Sequence, residues 1–191
     1  MKKNSQTDPL RIDSVRVSAL GGEIGMTLCP GKKAASLSGF QWDRDLALDA
    51  AAIREWGARA VVTLIEEHEF RELDVEQLPE VIRGAGLEWH HLPIRDIDVP
   101  GGHFEKRWQY AGARLRERLR SGERVLVHCK GGLGRAGTVA AVVANCQTKG
   151  GFKPSDFMPS FGPPTEQTEE QMQSAAIQYT RLCDGVIKRG S

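Results

Sequence analysis

Cys129 and Arg135 stand six positions apart in the run HCKGGLGR, with Gly131, Gly132 and Gly134 between them. A glycine-rich turn lets successive backbone N–H groups point to one side and cradle an anion. A helix starting near Arg135 adds its positive end to the same place. A thiol at the base of that cradle sits in a field that favours the thiolate. A guanidinium on the far side of the turn offers a planar fork matched to two oxygens of a phosphate. Cys129 and Arg135 would then face one phosphorus, with the backbone of Lys130, Gly131, Gly132, Leu133 and Gly134 as further phosphate ligands. The chemistry open to such a set is displacement at phosphorus through a covalent intermediate on sulfur.

A strand must deliver Cys129 and a helix must receive Arg135, and the surrounding chain has that alternating pattern. Residues 15–19 can form an opening strand. Leu46, Ala50, Ile53 and Trp56 fall on one helical face, and Gly57 closes the run. ARAVVTLI is apolar enough for a strand covered on both faces. A short helix at PEVIRGAG and a strand at LEWHHLPI follow. Phe104, Trp108, Ala111, Leu115 and Leu119 then form one stripe of a long helix, which leads through Gly122 into the Val125 strand. The order predicts an α/β fold, a central mostly parallel sheet flanked by helices, with the site at the carboxyl ends of the strands.

The 191 residues, 40% hydrophobic with a net charge of +1, suit a domain with a proper core. Charges are interspersed: Glu66, Glu67 and Glu69, followed by Arg71, read as a solvated face, and no single-sign block suggests nucleic acid as a partner. The polar start MKKNSQTDPL has no apolar run behind it, so the expectation is a cytoplasmic monomer with no secretory signal and no membrane partner. Cys29, Cys129, Cys146 and Cys183 are widely spaced without a CxxC pair, which argues against a zinc knuckle and a disulfide framework. Neither a metal nor an organic cofactor is expected.

His-Cys followed after five residues by Arg resembles the signature of the cysteine-dependent protein phosphatases. With it, MTLCPGKK, WGARAVVTLIEEHE, HHLPIRDIDVP and VLVHCKGGLGRAGTVAA together resemble the kinase-associated branch of the dual-specificity phosphatases and its bacterial relatives, over about residues 15–145. The resemblance implies a protein-tyrosine-phosphatase-like fold and a phosphorylated protein substrate, phosphotyrosine first. It makes Cys129 the nucleophile, Arg135 the stabiliser of the transferring phosphoryl group, and Asp96, at the PI-x-D position of PIRDIDVP, the general acid. His128 would order the loop by hydrogen bonds. Asp98 competes for the acid role, its other reading being a turn residue before the Phe104 helix. The Lys130 side chain reads as a solvated attractor and Cys29 as a small packed hydrophobe, with a redox partner of Cys129 as the sharper alternative. His90 and His91 alternate along a strand, one toward the core and one toward solvent.

Two features depart from that pattern. Ala136 stands where a Ser or Thr usually follows the Arg and helps the thiolate leave; the next hydroxyl, Thr138, is displaced along the helix. The stretch that begins VVANCQTKGG resembles part of phage minor tail assembly proteins, so residues 1–148 are expected as a phosphatase-like domain and 149–191 as a divergent segment. The latter would carry a connector and a final helix with Met172, Ala176, Tyr179 and Val186 on one stripe. Two rival functions remain open. One is a phosphate-binding module with little or no turnover, which Ala136 favours; the other is sulfur or arsenate chemistry, since rhodanese-like and arsenate reductase loops also surround a thiolate with N–H groups.

Overall fold

Two of the apolar runs read above, around Val61 and Val125, lie side by side as parallel strands, and the other elements are arranged on them. The computed structural model describes residues 2–148 except 19–20, 36–38, 97, 99 and 101, with side chains as far as Ala144. In chain order the elements are β1 (Lys2–Lys3), β2 (Asp13–Arg16), β3 (Glu23–Thr27), β4 (Lys33–Ala35), β5 (Gln41–Asp43), α1 (Leu46–Glu55), β6 (Ala58–Thr63), α2 (Glu67–Glu72), α3 (Leu78–Gly84), β7 (Glu88–His91), α4 (Gly102–Arg120), β8 (Arg124–His128) and α5 (Gly134–Thr148). The main sheet runs β2-β3-β8-β6-β7, and a small second sheet runs β1-β5-β4. Only β2 is antiparallel to its neighbour in the main sheet; β3, β8, β6 and β7 pair in parallel.

Alternation along the strands divides the core into two layers. Val62, Val125 and Val127 face α4 and α5, where Phe104, Trp108, Leu115, Leu119, Val139 and Val143 cover them. Val61 and Leu126 face the opposite way, onto Ala50 and Ile53 of α1 and Leu78 and Ile82 of α3. The predicted α/β class, with a mostly parallel sheet between helices, is what the chain adopts.

Local departures have local reasons. The opening strand lies at Asp13–Arg16, two residues earlier than predicted, and forms an antiparallel edge. The sequence reading had no strand at Glu23–Thr27, because Gly25 breaks the β pattern of EIGMT; burial between β2 and β8 supplies what propensity does not. His90 and His91 do not divide between core and solvent: their side chains are 15% and 9% exposed, His90 lying 3.0 Å from Glu88 and His91 packing on the Phe70 and Trp89 rings and reaching the Ile65 carbonyl. The final helix, the 148/149 boundary, Cys183 and the side chain of Cys146 lie outside what is described. No helix among the described residues is long and apolar enough to cross a membrane.

One buried ion pair ties the start of α1 to the segment that leads from β3 toward the candidate site. Arg44 donates from Nε and one terminal nitrogen to the two Asp49 carboxylate oxygens, each at 2.8 Å. The same carboxylate accepts the Gly31 N–H at 2.8 Å, and both side chains are 1% exposed. Removing one partner strands the other charge in the interior. Asp49→Ala should therefore lower the unfolding free energy by about 3–5 kcal/mol, read as a shift of the urea midpoint; a shift under about 1 kcal/mol would show that water reaches Arg44.

Candidate active site

Cys129 follows the last residue of β8, so the sheet register decides what surrounds it. His128 at the end of β8 stands between Thr27 of β3 and Thr63 of β6, and all three are fully buried. Beyond the strand the turn approaches β3 closely. Gly132 has φ +87°, and a Cβ there would lie 2.7 Å from the Leu28 nitrogen and from the Thr27 carbonyl carbon. No other residue type fits without displacing backbone. A Cβ at Gly131 or Gly134 meets nothing within 4 Å. The turn is therefore fixed at Gly132, and Gly131 and Gly134 leave room above it. The Gly132 N–H points at Cys129 Sγ at 3.2 Å, and the Gly137 N–H closes onto the Leu133 carbonyl at 2.7 Å to open α5.

Arg135, in the first turn of α5, is 4% exposed. Its two terminal nitrogens donate to Glu69, one to Oε2 at 2.5 Å and the other to Oε1 at 2.9 Å. The first of these also donates to the Ile94 carbonyl at 3.1 Å. Burial works against the Arg135 charge, yet the Glu69 contacts more than offset it and hold the group protonated. Burial likewise works against the charge of Glu69, but the Arg135 hydrogen bonds and the Glu66 N–H, 2.8 Å from Oε2, keep its carboxyl below the usual range. Glu69 corrects the sequence reading that placed it on a solvated face, for it is 2% exposed. The signal was present in the Glu66-x-x-Glu69 spacing, which fits a helix start just past the carboxyl end of an apolar strand.

The same register carries Asp96 to the site. The parallel ladder continues past β7: the Leu92 and Ile94 N–H groups donate to the Thr63 and Leu64 carbonyls, each at 3.0 Å. Two residues on, the Asp96 carboxylate lies 3.2 Å from an Arg135 terminal nitrogen, its side chain 58% exposed. The Asp98 N–H bonds the Arg95 carbonyl at 3.2 Å, as in a turn. Lys130 turns its half-exposed ammonium toward Glu72 at 3.8 Å. Leu133 is exposed at the rim, while Ala136 and Thr138 are buried in α5. Cys29 is fully buried, and burial pushes its thiol up. Among the described residues no three His, Cys, Asp or Glu side chains are grouped as a metal would require.

His128 lies beneath the loop. Trp89 Nε1–H donates to Thr63 Oγ1 at 2.8 Å, and that hydroxyl lies 2.8 Å from His128 Nε2. The Thr63 hydroxyl accepts from Trp89 and can either accept from the imidazole or donate to it, so the direction of the Thr63–His128 bond follows the imidazole tautomer. Burial pushes this imidazole down to about 3, so it is neutral at ordinary pH.

A family model described as "Polymorphic toxin system, DSP-PTPase phosphatase" matches residues 40–147. A second model, minor tail protein T, matches residues 134–182. The rat protein named cyclin-dependent kinase inhibitor 3 is 26% identical over 142 residues, covering 72% of this chain; the chain spans 62% of that protein's length. Among solved structures, kinase-associated phosphatase with its catalytic-site cysteine changed to serine superimposes with a TM-score of 0.70 at 20% identity, over 90% of this chain and 96% of the other. Tk-PTP in its active form gives 0.56 at 21% identity, over 83% and 95%. PTPMT1 in complex with PI(5)P gives 0.54 at 20%, over 83% and 93%. These likenesses are in fold.

The buried neutral imidazole has a consequence for stability. His128 titrates at about 3 when folded, against an ordinary 6.5. As the pH falls the unfolded chain takes up the proton first, so this contribution is whole above about pH 6.5 and is lost between there and about pH 3. The loss should approach about 1.4 kcal/mol per pH unit. Urea midpoints at pH 7 and pH 5.5 should fall further for the parent than for His128→Asn; equal falls would mean that His128 titrates normally in the fold.

Proposed function

The chain belongs to the DSP-PTPase phosphatase family of polymorphic toxin systems, and from that premise we propose that it is a cysteine-dependent phosphatase acting on phosphorylated proteins, phosphotyrosine first. The observation that carries the reading is the convergence on one loop of a thiol, a fixed guanidinium and a carboxylate. Cys129 Sγ accepts the Gly132 N–H, and Arg135 is clamped end-on by Glu69 with Asp96 at its side. The end-on clamp leaves the other edge of the guanidinium, Nε and the second hydrogen of one terminal nitrogen, for phosphate. Among the described residues no partner bonds Nε, and Asp96 is what now occupies the other position.

Catalysis in this reading runs in two displacements. The Cys129 thiolate attacks phosphorus, the ester bond breaks, and Asp96 gives its proton to the departing oxygen. Water then attacks the phosphocysteine, Asp96 takes the proton back, and phosphate leaves with the thiolate restored. Arg135 and the loop N–H groups hold the equatorial oxygens throughout, where fixed donors stabilise developing charge without reorganisation. Burial of Cys129, 3% exposed, supports a phosphate carried on a long stem, as on tyrosine. A panel of phosphotyrosine, phosphoserine and phosphothreonine peptides with PI(5)P as the lipid competitor tests the substrate class, with Cys129→Ser as control.

Asp96→Asn should slow aryl phosphates with poor leaving groups by about 10²–10⁴-fold and good leaving groups far less. Measuring rate against leaving-group pKa reads this directly; a steeper dependence in Asp98→Asn would move the acid to Asp98.

The second reading, a phosphate-binding module with little turnover, is favoured by Ala136, which is fully buried in the first turn of α5 and brings no hydroxyl to the departing sulfur. A hydrogen bond to a charged group is worth about 1.5–3 kcal/mol, so the second displacement should be slowed by about tenfold or more. Rapid mixing should show a burst of the first product, and Ala136→Ser should shrink the burst while raising the steady rate. No product at all, with phosphate still bound, would establish the binding module.

A further inference from the structure

Lys32, in the segment between β3 and β4, is a buried cation that the mechanism above does not use. It is 7% exposed, and among the described residues it forms no ion pair with a carboxylate. Its ammonium donates to the Lys130 carbonyl at 2.9 Å and lies 5.0 Å from the centre of the Trp42 ring. A buried charge is costly unless something compensates it, and one carbonyl and one ring face compensate only in part. Burial depresses the Lys32 ammonium, while Cys29 and Cys129 work in the other direction. The loop that begins at Cys129 is thus the partner Lys32 faces.

The carbonyl that Lys32 holds belongs to the first peptide after Cys129. In a trans peptide the C=O and the following N–H point in opposite directions. Anchoring the Lys130 oxygen on Lys32 therefore turns the Gly131 N–H away from Lys32, toward the concave side. We propose that Lys32 is a positioning residue for the anion cradle: from beneath the loop it fixes the Lys130–Gly131 peptide with its N–H toward the phosphate, and its charge favours the Cys129 thiolate and the bound anion.

Lys32 shares this field with Arg135, which also interacts with Cys129, but Lys32 differs in having no carboxylate partner among the described residues. Arg135 has its charge met by Glu69 and Asp96, Lys130 faces Glu72, His128 is neutral, and the Cys29 thiol is pushed up by burial.

The proposal rests on Cys129 acting at phosphorus, but its test does not need turnover. Full-length parent, Lys32→Met, Lys32→Gln and Lys32→Arg would be alkylated with iodoacetamide across pH, following the Cys129 peptide by mass spectrometry, with and without inorganic phosphate. Lys32→Met and Lys32→Gln should be alkylated on a profile displaced to higher pH, with protection by phosphate weakened about tenfold or more. Lys32→Arg should restore the parent profile, since it keeps the charge. If Lys32→Met does not fold, Lys32→Gln decides the matter, being neutral yet able to donate to the Lys130 carbonyl. Parent-like profiles and protection in the folded neutral variants would overturn the role of Lys32. Failure of phosphate to protect the parent would instead overturn the phosphate cradle itself.

Discussion

Arg135 is an arginine that cannot shed its charge and is nearly sealed from water, so the site depends on what meets that charge. Glu69 does so end-on, at 2.5 and 2.9 Å, from the first turn of α2. One carboxylate thereby serves three elements: it receives the Glu66 N–H at its own helix start, it fixes α5 through Arg135, and Arg135 in turn holds the Ile94 carbonyl two residues before Asp96. A guanidinium bound along one edge presents the other edge in a fixed direction, which suits it to a planar contact with phosphate in a way that a lysine at this position would not.

The sheet provides the second constraint. β8 lies between β3 and β6, so the loop after it is bounded on both sides by strands ending at the same level. On the β3 side the boundary is steric, through Gly132, and electrostatic, through Lys32 on the Lys130 carbonyl. On the β6 side it is a hydrogen-bonded column of Trp89, Thr63 and His128. The turn is held from outside on both flanks. In the proposed reaction such preorganisation would let fixed dipoles meet developing charge without first turning toward it.

Much of this was legible in the sequence where chemistry is local. The Cys-x5-Arg spacing, the glycines and the strand-to-helix transition around them lie within one turn, and the α/β class follows from apolar periodicity alone. The partners that steady the site come from far along the chain and carry weak local signals. Glu69 lies in an acidic run that looks like surface until β6 delivers it to Arg135. Lys32 looks like half of an exposed Lys-Lys pair, yet it is buried while Lys33 pairs with Asp74 at 2.7 Å in the open. β3 is masked by its glycine, and the two histidines of β7 do not follow alternation because both faces of that edge strand find partners, Glu88 for His90 and the Phe70 and Trp89 rings for His91. Long-range register decided each of these.

The central claim is that phosphate passes through sulfur at Cys129. The most direct measurement is to mix the full-length protein with a peptide bearing labelled phosphotyrosine, quench in acid within the first turnover, and map the label after proteolysis. The account predicts labelled phosphate on the peptide containing Cys129, absent from Cys129→Ser. Release of labelled phosphate with no label on that peptide at any time, or label on another residue, would contradict it.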